Sequence, residues 1–406
     1  MADPELRKLS YYFTSSKRKG RAGLPLMSVT MHNGLVPRED LERDKERKTK
    51  SSLEAEEHLL VEPGDIAYNM MRMWQGALGL AAEPANVSPA YGVMRPKPTV
   101  DPRFAAHWFK SEHGLYMLWA YSYGLTNDRL RLYPKDFLEI PVRWPVKPIQ
   151  QRIAMVLDAW DAVIAITEHL VGAKARRLRW LRAEVLTGKT RLKGFNAPWQ
   201  TLELAKLLLE HGESSTGTEE VHSVSVHRGL VNQIEHLGRS FAAASTDHYN
   251  RVLPGDIVYT KSPTGDFPLG IIKQSKLDHA AIVSPLYGVF TPASRELGNV
   301  LDALMASPSA AGRLLTPVVQ KGAKNTIAVT NQNFLQAQLA LPTDPNEIKA
   351  LSKLVDAAQA ELDVHMCELS HLRTQKRGLM QKLLTGEWRV PESIDALLPK
   401  AEERAA

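Results

Sequence analysis

The chain has 406 residues, is 44% hydrophobic and 24% charged, and carries a formal net charge of +6, which is typical of a globular protein with two or three domains. No apolar run approaches the roughly 20 residues that a membrane-spanning helix needs, and the first residues lack the apolar stretch of a signal peptide. The single cysteine, Cys367, excludes an internal disulfide framework and a Cys-X-X-Cys metal site, so we expect a cytoplasmic protein without a membrane partner.

The first half of the chain begins with a globular part. Short β-rich runs at 24–32, 65–71 and 91–96 alternate with Gly, Pro and Asn, which predicts strands closed by turns. A helical stretch is expected around 103–121. These elements predict a mixed α/β domain over residues 1–145.

A long helix is predicted next, over residues 146–190. Apolar residues recur at alternating spacings of four and three from Ile153 to Val185, with Pro148 near the start and Gly188 near the end. Because the pattern lasts for more than four heptads, it predicts a coiled coil. The helix is not apolar all round, so it needs one partner.

The second half of the sequence repeats the first at an offset of 191 to 198 residues. The repeated pairs are 28–36 with 223–231, 63–68 with 254–259, 87–93 with 283–289, and 186–189 with 384–387. The apolar stripe also returns, from Leu351 to Leu383. We therefore predict a second α/β domain over residues 191–342, a second long helix over 343–392 and a short tail over 393–406.

This duplication predicts an α+β fold, in which two mixed α/β domains in tandem are separated by two long helices. If a pseudo-dyad relates the two copies, the helices run antiparallel and form the coiled coil together. Two similar domains in one chain suit a target with two separated halves.

Motifs of common enzyme classes are absent. The tripeptide at 188–190 looks like the end of a phosphate-binding loop, but Ala183 stands where its first glycine belongs, and the segment follows a helix. No GxGxxG follows a strand, and no Asn-Pro-Pro-aromatic, HExxH or GxSxG motif occurs. Asp344, Glu347 and Lys349 loosely resemble a nuclease cluster, yet acidic residues at a helix start favour the helix dipole instead. We expect no catalytic residue, metal site or cofactor in this chain.

A DNA-binding role would place basic and amide side chains at the readout surfaces. The modest positive charge is compatible with nucleic acid without requiring it. Two domains that read different half-sites must differ where they read, so divergent segments supply the candidates. The first set follows the shared Pro-Gly-Asp-Ile turn and contains Arg72, Trp74 and Gln75, then Lys261, Ser262 and Thr264. The second set contains Asn127, Arg129, Arg131 and Lys135, then Lys321, Lys324 and Asn325. A solvated surface residue is the alternative interpretation at each position.

The repeat, the paired helices and the two helix endings resemble the specificity subunit of type I restriction-modification systems along nearly the whole chain. These endings are LRAEVLTGKTRL at 181–192 and RGLMQKLLTGEWRV at 377–390. The segments MSVTMHNGLV at 27–36, PGDI at 63–66 and MRMWQGALG at 71–79 also look like parts of its target recognition domains. The second copy lacks the MRMWQGA segment, so its recognition surface cannot be inferred from the first.

The resemblance implies a non-catalytic subunit whose two target recognition domains each read half of a bipartite site in double-stranded DNA. It further implies that the helical spacer docks two methyltransferase subunits, which use S-adenosylmethionine. Separate motor-nuclease subunits would join through the complex and use ATP and Mg²⁺. An alternative is a DNA-binding or scaffolding subunit of a related phage-defence system. An enzyme with an unrecognised site, or a structural coiled-coil protein, explains the duplicated domains less well.

Overall fold

A computed structural model describes residues 4–41, 53–126, 129–237, 246–321 and 327–397. Internal contacts divide the chain into two units, one made of Met1–Glu168 with Glu368–Ala406 and the other of His169–Cys367. Each unit contains one α/β domain and a stretch of both long helices. This confirms the predicted mixture of strands and helices and the presence of two long helices.

The first unit is built on short strands. They are β1 (Arg7–Lys8), β2 (Phe13–Ser15), β3 (Leu26–Val29), β4 (Leu35–Pro37), β5 (Leu59–Val61), β6 (Ile66–Asn69), β7 (Leu78–Leu80), β8 (Ala85–Val87), β9 (Tyr91–Pro96) and β10 (Pro141–Val142). One antiparallel sheet has the order β2-β9-β6-β7. A second sheet has the order β4-β3-β8-β5, with β3 and β8 parallel. The strands β1 and β10 pair with each other.

Helices cover the core of this domain. They are α1 (Pro102–Phe109), α2 (Glu112–Ala120), α3 (Pro134–Glu139) and α4 (Lys147–Trp180), the last of which continues into the second unit. Asp101 begins α1 by accepting the backbone N–H groups of Arg103 and Phe104, and Ser111 begins α2 in the same way. Phe13, Phe109 and Trp144 pack edge to face or tilted in the core beneath the sheet.

The second unit repeats much of this arrangement. Its strands are β11 (Trp199–Glu203), β12 (Leu208–Leu209), β13 (His222–Ser225), β14 (Gly229–Asn232), β15 (Asn250–Val252), β16 (Ile257–Tyr259), β17 (Ile272–Gln274), β18 (Ala281–Val283), β19 (Gly288–Pro292), β20 (Gln320–Lys321), β21 (Ile327–Ala328) and β22 (Gln338–Pro342). Its helices are α5 (Gln233–Leu237), α6 (Arg295–Leu304), α7 (Pro308–Leu315), α8 (Asn331–Gln336) and α9 (Pro345–Leu384), the last of which ends in the first unit.

Sheet topology shows that the two domains share one fold. The order β12-β19-β16-β17 matches β2-β9-β6-β7, and the pair β11-β22 matches β1-β10. The second sheet differs, because β13-β14 and β15-β18 are separate pairs joined by one parallel bridge between Val221 and Ile282. Parallel pairing of β3 with β8 makes the same connection in the first unit.

The repeated Pro-Gly-Asp turn is a structural anchor. Asp65 is buried, accepts the backbone N–H of Glu62 at 3.1 Å and receives the Arg95 guanidinium at 3.0 and 3.1 Å. Asp256 is also buried and accepts the backbone N–H of Leu253 at 2.7 Å and the Thr291 hydroxyl at 2.8 Å. Burying a carboxylate is costly unless it is paired and hydrogen-bonded, and both aspartates have such partners. This explains why the aspartate recurs in both copies.

The long helices pair antiparallel within each unit, as predicted. In the first unit Asp161 of α4 binds Lys376 of α9, and Glu168 binds Arg373 at 2.6 Å. In the second unit Lys174 binds Glu361, and the Arg182 guanidinium donates to Gln359 at 3.1 Å. In both units, residues further along the first long helix contact residues with lower numbers in α9. Only an antiparallel pair of helices produces this order.

The predicted apolar stripe forms the seam between these helices. Ile153, Leu157 and Leu383 are buried together in the first unit, while Leu178, Leu181, Val355 and Leu362 are buried together in the second. Thr167, a polar member of the stripe, is also buried and donates its hydroxyl to the carbonyl of Val163 at 2.9 Å. None of the helices in the described ranges is long and apolar enough to cross a membrane.

Each long helix ends near the predicted glycine. A π-helical turn at Leu181–Val185 follows α4, and Gly188 then adopts a φ of +76°. Gly386 adopts a φ of +78° just after α9. This left-handed conformation is easily reached only by residues without a Cβ, so glycine stops both helices.

The acidic cluster at the start of α9 has two separate roles. Asp344 accepts the backbone N–H of Asn346 at 2.8 Å, which is the capping role expected for it. Glu347 is instead fully buried, receives the Arg191 guanidinium at 2.8 and 2.9 Å, and accepts the Trp199 indole N–H at 3.2 Å. Sequence reasoning missed this ion pair because Arg191 lies 156 residues away.

Candidate nucleic-acid interface

The first predicted readout segment of the first domain joins β6 to β7. It forms a single 3-10 turn at Met73–Gln75, which Gly76 closes with a φ of +87°. Met73 is fully buried and anchors the turn, whereas Arg72 is exposed and Trp74 and Gln75 are half-buried. The core side chain therefore fixes the backbone from which the three predicted side chains extend.

Local hydrogen bonds orient these three side chains. Arg72 Nη1 donates to Gln75 Oε1 at 3.1 Å, and the Trp74 indole N–H donates to the carbonyl of Met71 at 3.2 Å. A guanidinium has five N–H donors, so Arg72 keeps donors for a phosphate or for the guanine edge. The amide group of Gln75 suits the adenine edge in the same groove.

The structure brings the second predicted segment of this domain against the first. The backbone N–H of Leu132 donates to the carbonyl of Met70 at 2.9 Å, two residues before Arg72. Arg131 forms a two-way backbone bridge with Tyr123, with both N···O distances at 2.9 Å. Arg129, Arg131 and Lys135 are exposed, while Asn127 lies outside the described residues. The two predicted segments therefore lie next to each other in the first domain.

Exposed aromatic side chains occur on α2 and along the segment that carries these cations, and they were not among the predicted residues. We call Tyr116, Trp119, Tyr123 and Tyr133 the aromatic patch; their exposures are 58, 47, 61 and 40%. The rings of Tyr116 and Trp119 have centroids 6.0 Å apart. The sequence could have indicated these residues through the composition of α2, because apolar residues also occur on the face opposite its buried Leu118.

The corresponding segment of the second domain has a different shape. Lys261 adopts a φ of +59°, a left-handed conformation that costs free energy for a residue with a Cβ. A Cβ on Gly270 would lie 2.8 Å from the Lys261 nitrogen, so two backbone segments approach closely here. Burial lowers the pKa of the Lys261 ammonium, and the nearby charge of Glu210 offsets part of that shift.

The structure describes three of the other five residues predicted in the second domain. Thr264 closes a tight turn with Phe267 through two backbone hydrogen bonds of 3.0 Å, and Ser262 is exposed between Lys261 and this turn. Lys321 lies in the short strand β20. Lys324 and Asn325 lie outside the described residues. The structure therefore shows a candidate surface around Lys261, and the role of the second set in this domain stays a prediction.

No cluster of three or more His, Cys, Asp or Glu side chains in the described ranges could hold a metal ion. His211 and His107 do contact carboxylates: His211 Nε2 lies 3.1 Å from Asp256, and His107 Nε2 lies 2.8 Å from Asp158. Each pair lies within a single unit, so a packing role accounts for them.

No family model matches the sequence, and no curated protein matches it either. Several solved structures do match the fold of this chain. The S subunit of a type I restriction-modification system from M. genitalium aligns with 94% of this chain and 96% of its own, at 14% identity and a TM-score of 0.56. This chain therefore has the fold of that subunit.

Two further S-subunit structures align with nearly the whole chain. The HsdS subunit from Thermoanaerobacter tengcongensis covers 96% of this chain and 98% of its own, at 12% identity and a TM-score of 0.47. A structure described as the basis of complex assembly and conformational transition of the type I R-M system covers 95% and 98%, at 11% identity and a TM-score of 0.49.

Proposed function

We propose that this chain is the non-catalytic DNA-recognition subunit of a type I restriction-modification complex. One observation carries the proposal: two domains of the same fold present divergent, cation-bearing surfaces at the equivalent connection after β6 and after β16. A repeated scaffold with non-identical surfaces suits two different half-sites, because each domain can be tuned without changing the fold. The shared fold of the M. genitalium subunit supports the same assignment.

In the first domain, Arg72, Gln75 and Arg131 would enter the major groove, while Arg129 and Lys135 would contact phosphates. Phosphate contacts position a protein on the duplex and base contacts specify the sequence, so the two groups have separable effects. In the second domain, Lys261 would have the reading role. Its left-handed backbone and partial burial fix its position, which limits the base edges it can reach.

Methyltransferase subunits would dock on the exposed apolar side chains of the long helices. Val163 and Ile166 are exposed on α4 in the first unit, and Val364 and Met366 are exposed on α9 in the second. Ile166 and Val364 occupy equivalent positions of the repeat. Equivalent apolar sites in two units suit two copies of one partner.

The partner subunits would carry out the catalytic reactions. The methyltransferases would use S-adenosylmethionine, and motor-nuclease subunits joined through the complex would use ATP and Mg²⁺. This chain would supply the target sequence and, through the length of its helices, the number of unread base pairs. An insertion of two helical turns in both long helices should lengthen that gap, and an unchanged gap would exclude this role of the helices.

The decisive experiment is sequencing of methylated bases in DNA from cells that express the chain with its neighbouring methyltransferase. The control cells contain the methyltransferase alone. A two-part motif with a fixed gap, found only with this chain, is the expected result. Lys261→Ala should relax one half of the motif, and Arg72→Ala the other. An absence of chain-dependent methylation would contradict the proposal and favour a scaffolding subunit of a related defence system.

A further inference from the structure

The aromatic patch has no role in the charged readout proposed above. Its four rings lie on α2, just after its end and just before α3, and 40% or more of each residue is exposed. Solvent exposure of clustered large apolar side chains is unfavourable, and such clusters in soluble domains commonly mark binding surfaces. The position of the patch indicates which partner would cover it.

Cations lie close to Tyr123 and Tyr133. Tyr123 is bridged to Arg131 through the backbone, and Tyr133 follows Arg131 by two residues. Between His113 and Lys135 the sequence contains one acidic residue, Asp128, against three cations. None of Arg129, Arg131 and Lys135 is in an ion pair with another described residue. An apolar surface beside cations that form no ion pair with the described residues is complementary to a polyanion that also exposes apolar groups.

Duplex DNA is such a polyanion. The thymine 5-methyl is the apolar group on the major-groove edges of the bases, and apolar side chains recognise thymine by covering it. We infer, on the basis of the proposed function, that the aromatic patch contacts thymine 5-methyl groups in the half-site read by the first domain. Trp119, whose indole is the largest exposed ring of the patch, and Tyr123, which is bridged to Arg131 through the backbone, would make the principal contacts.

The described residues of the second domain contain no equivalent patch. Its helix α7 occupies the same place after a serine cap as α2, and its sequence PSAAGRLL contains no aromatic residue. Leu314 and Leu315 of α7 are buried. We therefore expect an asymmetry: thymine methyl groups should strengthen binding of the half-site read by the first domain through this helix, and not of the other half-site.

Removal of the methyl group alone tests the inference. The full chain would select binding sites from two randomised duplex libraries, one with thymine and one with uracil at every thymine position. The variants are Trp119→Ala, Trp119→Phe and Arg131→Ala, and the control is Trp388→Ala, which removes a similarly exposed indole (55% against 47% for Trp119) from the C-terminal segment. Arg131→Ala identifies the half-site that the first domain reads.

Wild-type chain should select at least one thymine in that half-site and lose the preference in the uracil library. Each lost methyl contact should cost about fourfold in affinity, the factor expected for burial of one such group. Trp119→Ala should weaken the thymine preference without changing the other half-site, Trp119→Phe should retain it, and Trp388→Ala should match wild type.

Several results would overturn the inference and leave the proposed function intact. These are a bipartite motif whose first-domain half tolerates uracil at all positions, or a Trp119→Ala variant with unchanged thymine preference. A wild-type chain that enriches no motif from either library would contradict the proposed function itself. Thermal unfolding of each variant establishes that the substitution has not simply unfolded the domain.

Discussion

The ring of Tyr68 stacks on the ring of Phe137, with centroids 5.4 Å apart and an interplanar angle of 18°. The equivalent rings of the second domain, Tyr259 and Phe334, stack at 4.7 Å and 19°. Their hydroxyl groups differ, because Tyr259 donates to the carbonyl of Leu269 at 2.7 Å, whereas the buried Tyr68 hydroxyl has no hydrogen-bond partner among the described residues. The two domains therefore share the aromatic stack, but only the tyrosine of the second domain has a hydrogen bond for its hydroxyl group among the described residues.

This difference predicts opposite effects for the same substitution. Tyr259→Phe should lower the free energy of unfolding by about 1 kcal/mol because a hydrogen bond is lost. Tyr68→Phe should be neutral or stabilising, since it removes a buried hydroxyl that gains nothing from its surroundings. Denaturant unfolding of the full chain measures both changes, with each transition fitted separately because the chain has two units. Equal destabilisation by the two variants would contradict the difference between the sites.

The buried ion pair between Glu347 and Arg191 should be important for the stability of the second unit. Glu347→Ala would leave the Arg191 guanidinium without its carboxylate, and we expect a loss of about 3 kcal/mol, because Arg191 is partly exposed and can regain some hydration. The matched control is Glu168→Ala, which breaks a solvent-exposed Glu–Arg pair and should cost less than about 1 kcal/mol. Chemical denaturation compares the two, and similar losses would show that burial does not strengthen this interaction.

The carboxyl group of Glu219 should make the second unit sensitive to acid. Burial would raise its pKa, but the hydroxyl and backbone N–H of Thr216 donate to it, at 2.8 and 2.9 Å, and Arg251 lies 2.8 Å away. Together these contacts lower the pKa to about 2.

Because the folded-state pKa is below that of the unfolded chain, the stabilisation is complete above about pH 5 and declines as the pH falls toward 2. Glu219→Gln should be less stable than wild type at pH 7, and the difference should shrink on acidification. Unfolding at a series of pH values measures it. A difference that stays constant from pH 7 to pH 3 would show that this carboxyl group does not carry the effect.

Much of the fold follows from local sequence. The apolar stripe from Ile153 to Val185 predicted the buried seam because a helix places residues at this spacing on one side. The glycines at 188 and 386 predicted the helix ends because few other residues adopt a positive φ easily. The repeat itself predicted that the two domains would share a topology.

Long-range contacts could not be obtained this way. The pairing of Arg191 with Glu347 depends on how the chain returns after a whole domain, which local spacing does not encode. The backbone hydrogen bond from Leu132 to Met70, which places two separately predicted segments side by side, could not be predicted for the same reason. The aromatic patch was missed because a search for charged and amide side chains disregards exposed tyrosine and tryptophan.

Lys135 offers a test of the proposed phosphate contacts that needs no knowledge of the target sequence. It is exposed at the start of α3, on the segment that Leu132 anchors. Each phosphate contact by a cation releases about one counterion, so the logarithm of the DNA affinity falls more steeply with the logarithm of salt concentration. Lys135→Ala should reduce that slope by about one and weaken binding to all duplexes alike. The matched control is Lys353→Ala, which removes an exposed lysine from α9 and should leave the slope unchanged.

Titration of a labelled random duplex between 50 and 200 mM salt measures the slope. An equal reduction in both variants would indicate a general effect of net charge, and an unchanged slope for Lys135→Ala would remove this residue from the interface.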